Sequence, residues 1–509
     1  MRKMRWLDPF RGLFLACALL ALAGGRAAAD VGDVFYVDQG NISGVEDGLS
    51  WETAATTLEE GIEIARRNFG GEVWVAAGIY DEPRSEDGSL RMRASVELYG
   101  GFTGTEGARN QRDWRQHLTI IEGAFANNGA PAEHVVMGAN NSRLDGFLIR
   151  GGRGENGAGM LNASVSPVIV NCTFTGNEAL LFGGAMLNVD GAMPRIENCR
   201  FVGNLAGESG GAIANAAASP YIERSTFQNN IAEFAAGAIF NTPESDPLIT
   251  QCVFRENFAG DGGGGAIFND AAAPLIEKSH FFDNHTEAFG GAIFFNDTET
   301  LLVNNVFARN QAPNQRGGAL AILNSSLYIV NCTFTANRAS GQGGAMFSSD
   351  AQVNIVNSIL WNDIPNEFAR ANTSLKVTYT NISAQLSGEG NINYPPRFRD
   401  PANDDFSLLP HSLSINAGTV DGAPDSDIRN VPRPQGDGVD IGAYEYTEAP
   451  LPEDRWPLGC QLFALGTGPG GSPGIPAPGD LLVLGLLLGV LLVAARRRPG
   501  WNRHRTAEA

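Results

Sequence analysis

The chain has 509 residues, 43% of them hydrophobic, and a formal net charge of −20. Setting aside the ten basic and two acidic residues of segments 1–29 and 496–509 leaves 26 Lys+Arg against 54 Asp+Glu, a charge of −28. A field of that sign repels polyanions, so it excludes nucleic acid as a partner and disfavours acidic, pectin-like substrates.

The N-terminus reads as an export signal. Arg2, Lys3, Arg5 and Arg11 surround the start of the chain, an apolar stretch runs from Leu13 to Ala23, and Ala27-Ala28-Ala29 offers small residues for cleavage before Asp30. Residues 1–29 are therefore expected to be a signal peptide. Residues 30–123 are expected to form an N-terminal cap and the first coils of the fold described below. Val34-Phe35-Tyr36-Val37 reads as a strand, and Thr57 and Glu60 are placed for a capping box. Leu58, Ile62, Ala65 and Phe69 recur at helical spacing before Gly70, which predicts a helix plugging the end of the fold. Glu72 to Tyr80 returns to strand. These residues, with the stretches Tyr99 to Glu106 and Gln111 to Trp114, resemble the N-terminal region of many bacterial β-helix surface proteins.

The repeat occupies residues 124–394. An F-x-x-N pattern appears at Phe174/Asn177, Phe201/Asn204, Phe227/Asn230, Phe254/Asn257, Phe281/Asn284, Phe307/Asn310 and Phe334/Asn337. Counting Phe147 upstream, the spacings are 27, 27, 26, 27, 27, 26 and 27, and Ile359/Asn362 reads as a degenerate unit 25 residues further on. A Gly-Gly-Ala-Ile type motif interleaves with it, as at Gly210-Gly211-Ala212-Ile213 and Gly264-Gly265-Ala266-Ile267. Prolines at 167, 220, 247 and 274 mark strand starts. Such units hold short strands and turns, with no room for a helix. The L-x-x-L-x-L signature of leucine-rich repeats is absent, and a propeller blade needs a longer period.

A single-stranded, right-handed parallel β-helix fits best, an all-β solenoid in which like residues pile into columns about 4.8 Å apart. The Phe column fills the interior. The Asn column is expected to take a left-handed turn conformation and to bond amide to amide. Cys172, Cys199, Cys252 and Cys332 all stand two residues before the repeat Phe, where other coils have Ser225, Ser279 and Asn305, and so join an interior column of small side chains. An odd number of cysteines beyond the signal argues against a disulfide framework. The two motifs in alternation resemble the repeats of polymorphic outer-membrane proteins within the pectin-lyase-like fold, though no autotransporter β-barrel pattern follows them.

After the repeats, Phe398-Arg399-Asp400-Pro401, Ile415-Asn416-Ala417-Gly418 and Asp440-Ile441-Gly442-Ala443-Tyr444-Glu445 make residues 395–447 resemble the choice-of-anchor Q family, which implies cell-surface placement. A Gly/Pro-rich linker (448–480) leads to an apolar helix (481–495) and a basic tail (496–509) headed by Arg496-Arg497-Arg498. By the positive-inside rule the tail is cytoplasmic and everything before the helix lies outside. Ile475-Pro476-Ala477-Pro478 with this helix resembles a PEP-CTERM sorting signal, with Ala477 where a Glu is expected. The resemblance implies a sortase-like processing enzyme as a partner, and the helix itself implies the membrane.

Catalytic motifs of polygalacturonases, pectate lyases and pectin methylesterases are absent. One candidate column remains: Glu197, Glu223 and Glu277, four residues before the repeat Phe, with Thr250 interrupting it. Carboxylates on adjacent coils stand about 5 Å apart, a spacing that suits a retaining glycosidase or a calcium site. Arg224, Lys278 and His280 would supply positive charge nearby. Asp425, Asp427, Asp437 and Asp440 are a second calcium candidate, without EF-hand order. No other cofactor is implied. These residues predict a non-catalytic β-helix displayed on a bacterial cell envelope for adhesion, carbohydrate contact or structural display, its partner a carbohydrate or another envelope protein. A surface-tethered polysaccharide lyase or glycoside hydrolase is the alternative.

Overall fold

The computed structural model describes residues 33–84, 87–384 and 386–448. The predicted signal peptide, apolar C-terminal helix and basic tail lie outside these residues, and among those described no helix is long and apolar enough to cross a membrane. The chain winds into a right-handed solenoid of about twelve turns. Its strands build four parallel sheets of 13, 12, 8 and 11 strands, which we number first to fourth in the order one coil meets them. One coil shows the order: Tyr221–Glu223, Thr226–Gln228, Ile231–Ala232 and Ile239–Asn241. The coils extend from Val34–Val37 to Asn381–Ile382, well past the counted repeats on both sides.

Stacked interiors explain the recurring residues. Rings of Phe174, Phe201, Phe227, Phe254, Phe281, Phe307 and Phe334 lie 4.7–5.0 Å apart and within 11° of parallel. Phe147 does not join them. Ile149 stands under Phe174, because residues 147 and 149 both face inward and the register aligns the second. At the other end Leu360 takes the Phe place and Asp363 the Asn place, so Ile359/Asn362 was one residue out of register.

From Asn204 to Asn337 each repeat Asn side chain forms four bonds, and Asn177 forms three. Asn204 shows the set: its Nδ2 donates to Phe174 O at 3.0 Å and to Asn230 Oδ1 at 3.0 Å, while its Oδ1 accepts from the backbone N–H of Asn177 at 3.2 Å and from its Nδ2 at 3.1 Å. The pattern continues through Asn257, Asn284 and Asn310 to Asn337. The left-handed residue is not this Asn but the one before it: Gly176, Gly203, Asn229, Glu256, Asp283, Arg309 and Ala336 all have φ between 54° and 63°. That turn aims the following side chain inward. In the Gly-Gly motif the second glycine is sterically required, since a Cβ on Gly211 would overlap the carbonyl oxygens of Gly237 and Ile231.

A second ladder was not anticipated. On the inner face of the fourth sheet Asn162, Asn188, Asn215, Asn241 and Asn269 are linked Nδ2 to Oδ1 at 2.7–2.9 Å. It stops at Phe295, which occupies the next register position.

The helix α1, Leu58–Arg67, closes the N-terminal end, burying Leu58, Ile62, Ile64 and Ala65 with Val37 and Val73. Only half of the capping box forms: Thr57 Oγ1 accepts from the Glu60 N–H at 3.3 Å, but the Glu60 carboxylate pairs with Arg67. Phe69 departs from the predicted apolar face. It has φ 66° and is 98% exposed, because the chain must reverse at Gly70-Gly71 into the strand Gly71–Ala76.

Residues 394–446 form a strap along the outside of the second sheet. An antiparallel hairpin, Phe398–Asp400 with Asp405–Leu408, opens it. Phe406, Ile428, Ala443 and Tyr444 pack on Phe282, Val306 and Ala308, while Leu408 and Ile441 pack on Ile359. The outward positions of the second sheet include Thr173, Arg200 and Gln228 in the uncovered coils; beneath the strap Phe282, Val306, Ala308 and Ile359 take outward positions alongside His280 and Thr333. Polar pins fix it: Asn331 Nδ2 donates to Asp440 O at 3.0 Å, Thr333 Oγ1 accepts from the Ala443 N–H at 3.1 Å, and Asp404 pairs with Arg255 and Arg309, both at 2.5 Å.

Two outcomes test this packing. Asn215→Ala leaves Asn188 Nδ2 and Asn241 Oδ1 unpaired, at about 1–3 kcal/mol for each group, which should appear as a lower urea midpoint with an unchanged slope. His280 lies buried beneath the strap, its Nε2 3.2 Å from the Tyr444 hydroxyl, and burial pushes its imidazole down to about 4. The fold therefore holds it neutral: its share of stability is full above about pH 6.5 and is lost as pH falls through about 4. His280→Gln should remove roughly 3 kcal/mol of acid sensitivity over that interval, read as the difference between wild-type and variant thermal midpoints.

Candidate functional site

The outer face of the first sheet bears the glutamate column. Glu197 and Glu223 pair in register, Thr250 follows Glu223, and Glu277 follows Thr250. These are not freely solvated charges. The side chains of Glu197 and Glu223 are 15% and 12% exposed. Arg195 pairs with Glu197, and Arg224 spans both carboxylates, reaching Glu197 at 3.5 Å and also bonding Glu223. Thr250 Oγ1 donates to Glu277 Oε1 at 3.1 Å, so the break in charge is not a break in bonding.

Beside this column runs a second, two residues earlier in each coil: Arg195, Tyr221, Leu248, Leu275, Leu301 and Tyr328. Arg195 lies over the Tyr221 ring, 5.2 Å from its centre. Burial, together with Glu223, pushes the Tyr221 hydroxyl up to about 12, so it remains a hydrogen-bond donor at any physiological pH. The face thus sets an aromatic and aliphatic strip beside a polar column stacked one residue per coil, with Arg195 and Arg224 paired to its carboxylates.

Such a face can hold hydroxyl-rich ligands by stacking and by bidentate hydrogen bonds. Acid catalysis fits it less well. A retaining pair needs one carboxyl as proton donor, whereas both carboxylates here are committed to Arg224. The other predicted cations do not serve the column. Lys278 Nζ turns to the strap, donating to Asn430 Oδ1 at 2.7 Å and Ser426 Oγ at 3.0 Å, and His280 is on the second sheet beneath it. Sequence reasoning missed Arg195 as a partner. The signal was present, since Arg195 and Glu197 stand two apart on one strand and so share a face.

The four aspartates do not gather. Asp425 and Asp437 are exposed. Asp427 is buried, accepting from the Arg429 and Val431 N–H groups at 2.7 and 2.8 Å while pairing with the Arg429 side chain. Asp440 accepts from the Asn416 and Tyr446 N–H groups at 2.7 and 2.6 Å, and burial pushes it up to about 6. Their neighbour Glu445 pairs with Arg433 at 2.5 Å, both side chains 1% exposed. Among the described residues no group of three or more His, Cys, Asp or Glu is placed to hold a metal ion. The closing Asp-Ile-Gly-Ala-Tyr-Glu run is thus a strap-folding element.

The four described cysteines are free and buried in one column with Ser225, Ser279 and Asn305. Burial pushes the Cys252 and Cys332 thiols up to about 12. The native protein should therefore leave these thiols unmodified by iodoacetamide at pH 8, with labelling seen by mass spectrometry only after denaturation.

The profile of a family described as "Right handed beta helix region" matches residues 195–360. No curated protein matches the chain. Among solved structures the chain is similar to pectate lyase Pel9A, at 12% identity over 82% of this chain and 98% of that one, TM-score 0.42. It is also similar to the A-module of mannuronan C-5 epimerase AlgE4 of Azotobacter vinelandii, at 15% identity over 71% and 100%, TM-score 0.28. PfbA, a surface adhesin of Streptococcus pneumoniae, is similar at 13% identity over 65% and 92%, TM-score 0.31.

Proposed function

We propose that this protein is a non-catalytic β-helix displayed on a bacterial cell envelope, contacting neutral carbohydrate through the outer face of its first sheet. The observation that carries the reading is the strip of Tyr221, Leu248 and Leu275 beside Glu223, Thr250 and Glu277, on a face outside the strap's docking surface. The strip supplies apolar contact for the C–H faces of sugars, and the polar column supplies acceptors and donors for their hydroxyls. The charge of the exported part sets the ligand class, disfavouring uronate polymers.

Display rests on the two ends of the sequence. Residues 1–29 direct export, and residues 481–495 with their arginine tail hold the chain in a membrane or present it to a sortase-like enzyme.

Binding to insoluble neutral glycans, measured with reducing-end release in the same samples, tests this reading. Retention without turnover is expected, with Tyr221→Ala weakening retention about fivefold, roughly 1 kcal/mol of lost ring contact. Turnover that disappears in Glu223→Gln would instead establish the lyase or hydrolase reading.

A further inference from the structure

The asparagine ladder ends on an acid. In each coil below, the Nδ2 of the ladder Asn is a donor, bonding the Phe carbonyl of the coil beneath and the next Oδ1. At Asp363 the Oδ1 still accepts from the backbone N–H and the Nδ2 of Asn337, both at 2.8 Å. The place of the donor is now held by Oδ2, an oxygen with no hydrogen-bond partner. Four residues on, Glu367 is equally buried. Its Oε1 accepts from the Ser383 hydroxyl, and its Oε2 is also without a partner.

We propose that Asp363 and Glu367 form a proton-binding site, one proton held between the two carboxyls sealing the last coils and its loss to solvent opening them. Two bare carboxylates, both buried and close enough to raise each other's proton affinity, would repel each other without any donor to their free oxygens. A single proton removes one charge and restores the donor that the ladder position lacks. The other groups turned toward the pair, Asn337 and Ser383, are uncharged. Arg338 and Arg370, the charged residues of the adjoining strands, are exposed. Burial first, and then Glu367, hold the Asp363 carboxyl well above the usual carboxylate range.

The sign follows from that direction. A carboxyl whose folded value is raised contributes stability fully present below its unfolded value and lost as pH rises through the folded value. Opening would spread to the strap. Asn381 Nδ2 donates to Tyr394 O at 2.9 Å and to Ser414 Oγ at 2.8 Å, and Ile392 packs in the cluster of Leu408 and Ile441.

Hydrogen exchange of the full chain at pH 5.5 and 8.5, corrected for intrinsic rates, tests the proposal. Peptides covering 360–393 should lose protection about tenfold or more at the higher pH, while coils 195–257 keep theirs. Asp363→Asn restores the ladder amide and should flatten this dependence, as should Glu367→Gln, which serves if the first variant folds poorly. The infrared band of a protonated carboxyl at pH 6 should weaken in Asp363→Asn in an Asp440→Asn, Glu82→Gln background, which removes the other raised carboxyls. A wild type without the pH dependence, or variants that retain it together with an unchanged infrared band, overturns the proposal.

Discussion

A buried amide must find its partner one coil away, and that requirement organises the molecule. The interior offers no water, so an Asn on an inward position is stable only if the neighbouring coil supplies an Asn or a carbonyl at the same place. Two such columns run through this solenoid, one in the turn after the second sheet and one on the fourth. Together they fix the register of every coil they cross. Length variation is confined to the turns between them, where Gly260 to Gly264 adds one residue without displacing Asn257 or Asn269.

The strap follows from the same stacking. The second sheet carries the apolar outward residues Phe282, Val306 and Ile359 where the chain returns to cover it. The strap's own core is ionic. Arg429 and Arg433 stand against Asp427, Asp440 and Glu445, and burial, with Glu445 beside it, leaves Asp440 with a raised affinity for a proton. The covered part of the second sheet is thereby closed to solvent.

Much of this was legible in the sequence. The period, the Phe and Asn columns and the cysteine column could be read because each position repeats with the same chemistry. Errors arose where identity and register part company. Phe147 has the right residue at the right interval but the wrong place, and Leu360 and Asp363 have the right place with different residues. The second ladder was hidden inside the Gly-Gly-Ala-Ile motif, whose trailing Asn looked like turn punctuation although its strand position makes it inward. The pairing of Glu197 and Glu223 with arginines was within reach, since alternate residues share a face. The strap was not, because contacts such as Asn331–Asp440 and His280–Tyr444 join residues more than a hundred apart in the chain.

The central claim is that like side chains stack vertically, one per coil. A crystal structure that resolves the aromatic rings measures this most directly. Phe174, Phe201 and Phe227 should lie parallel with centres 4.8–5.0 Å apart, and Asn177, Asn204 and Asn230 should be joined amide to amide. Rings displaced from that file, or amides turned to water, would contradict the account.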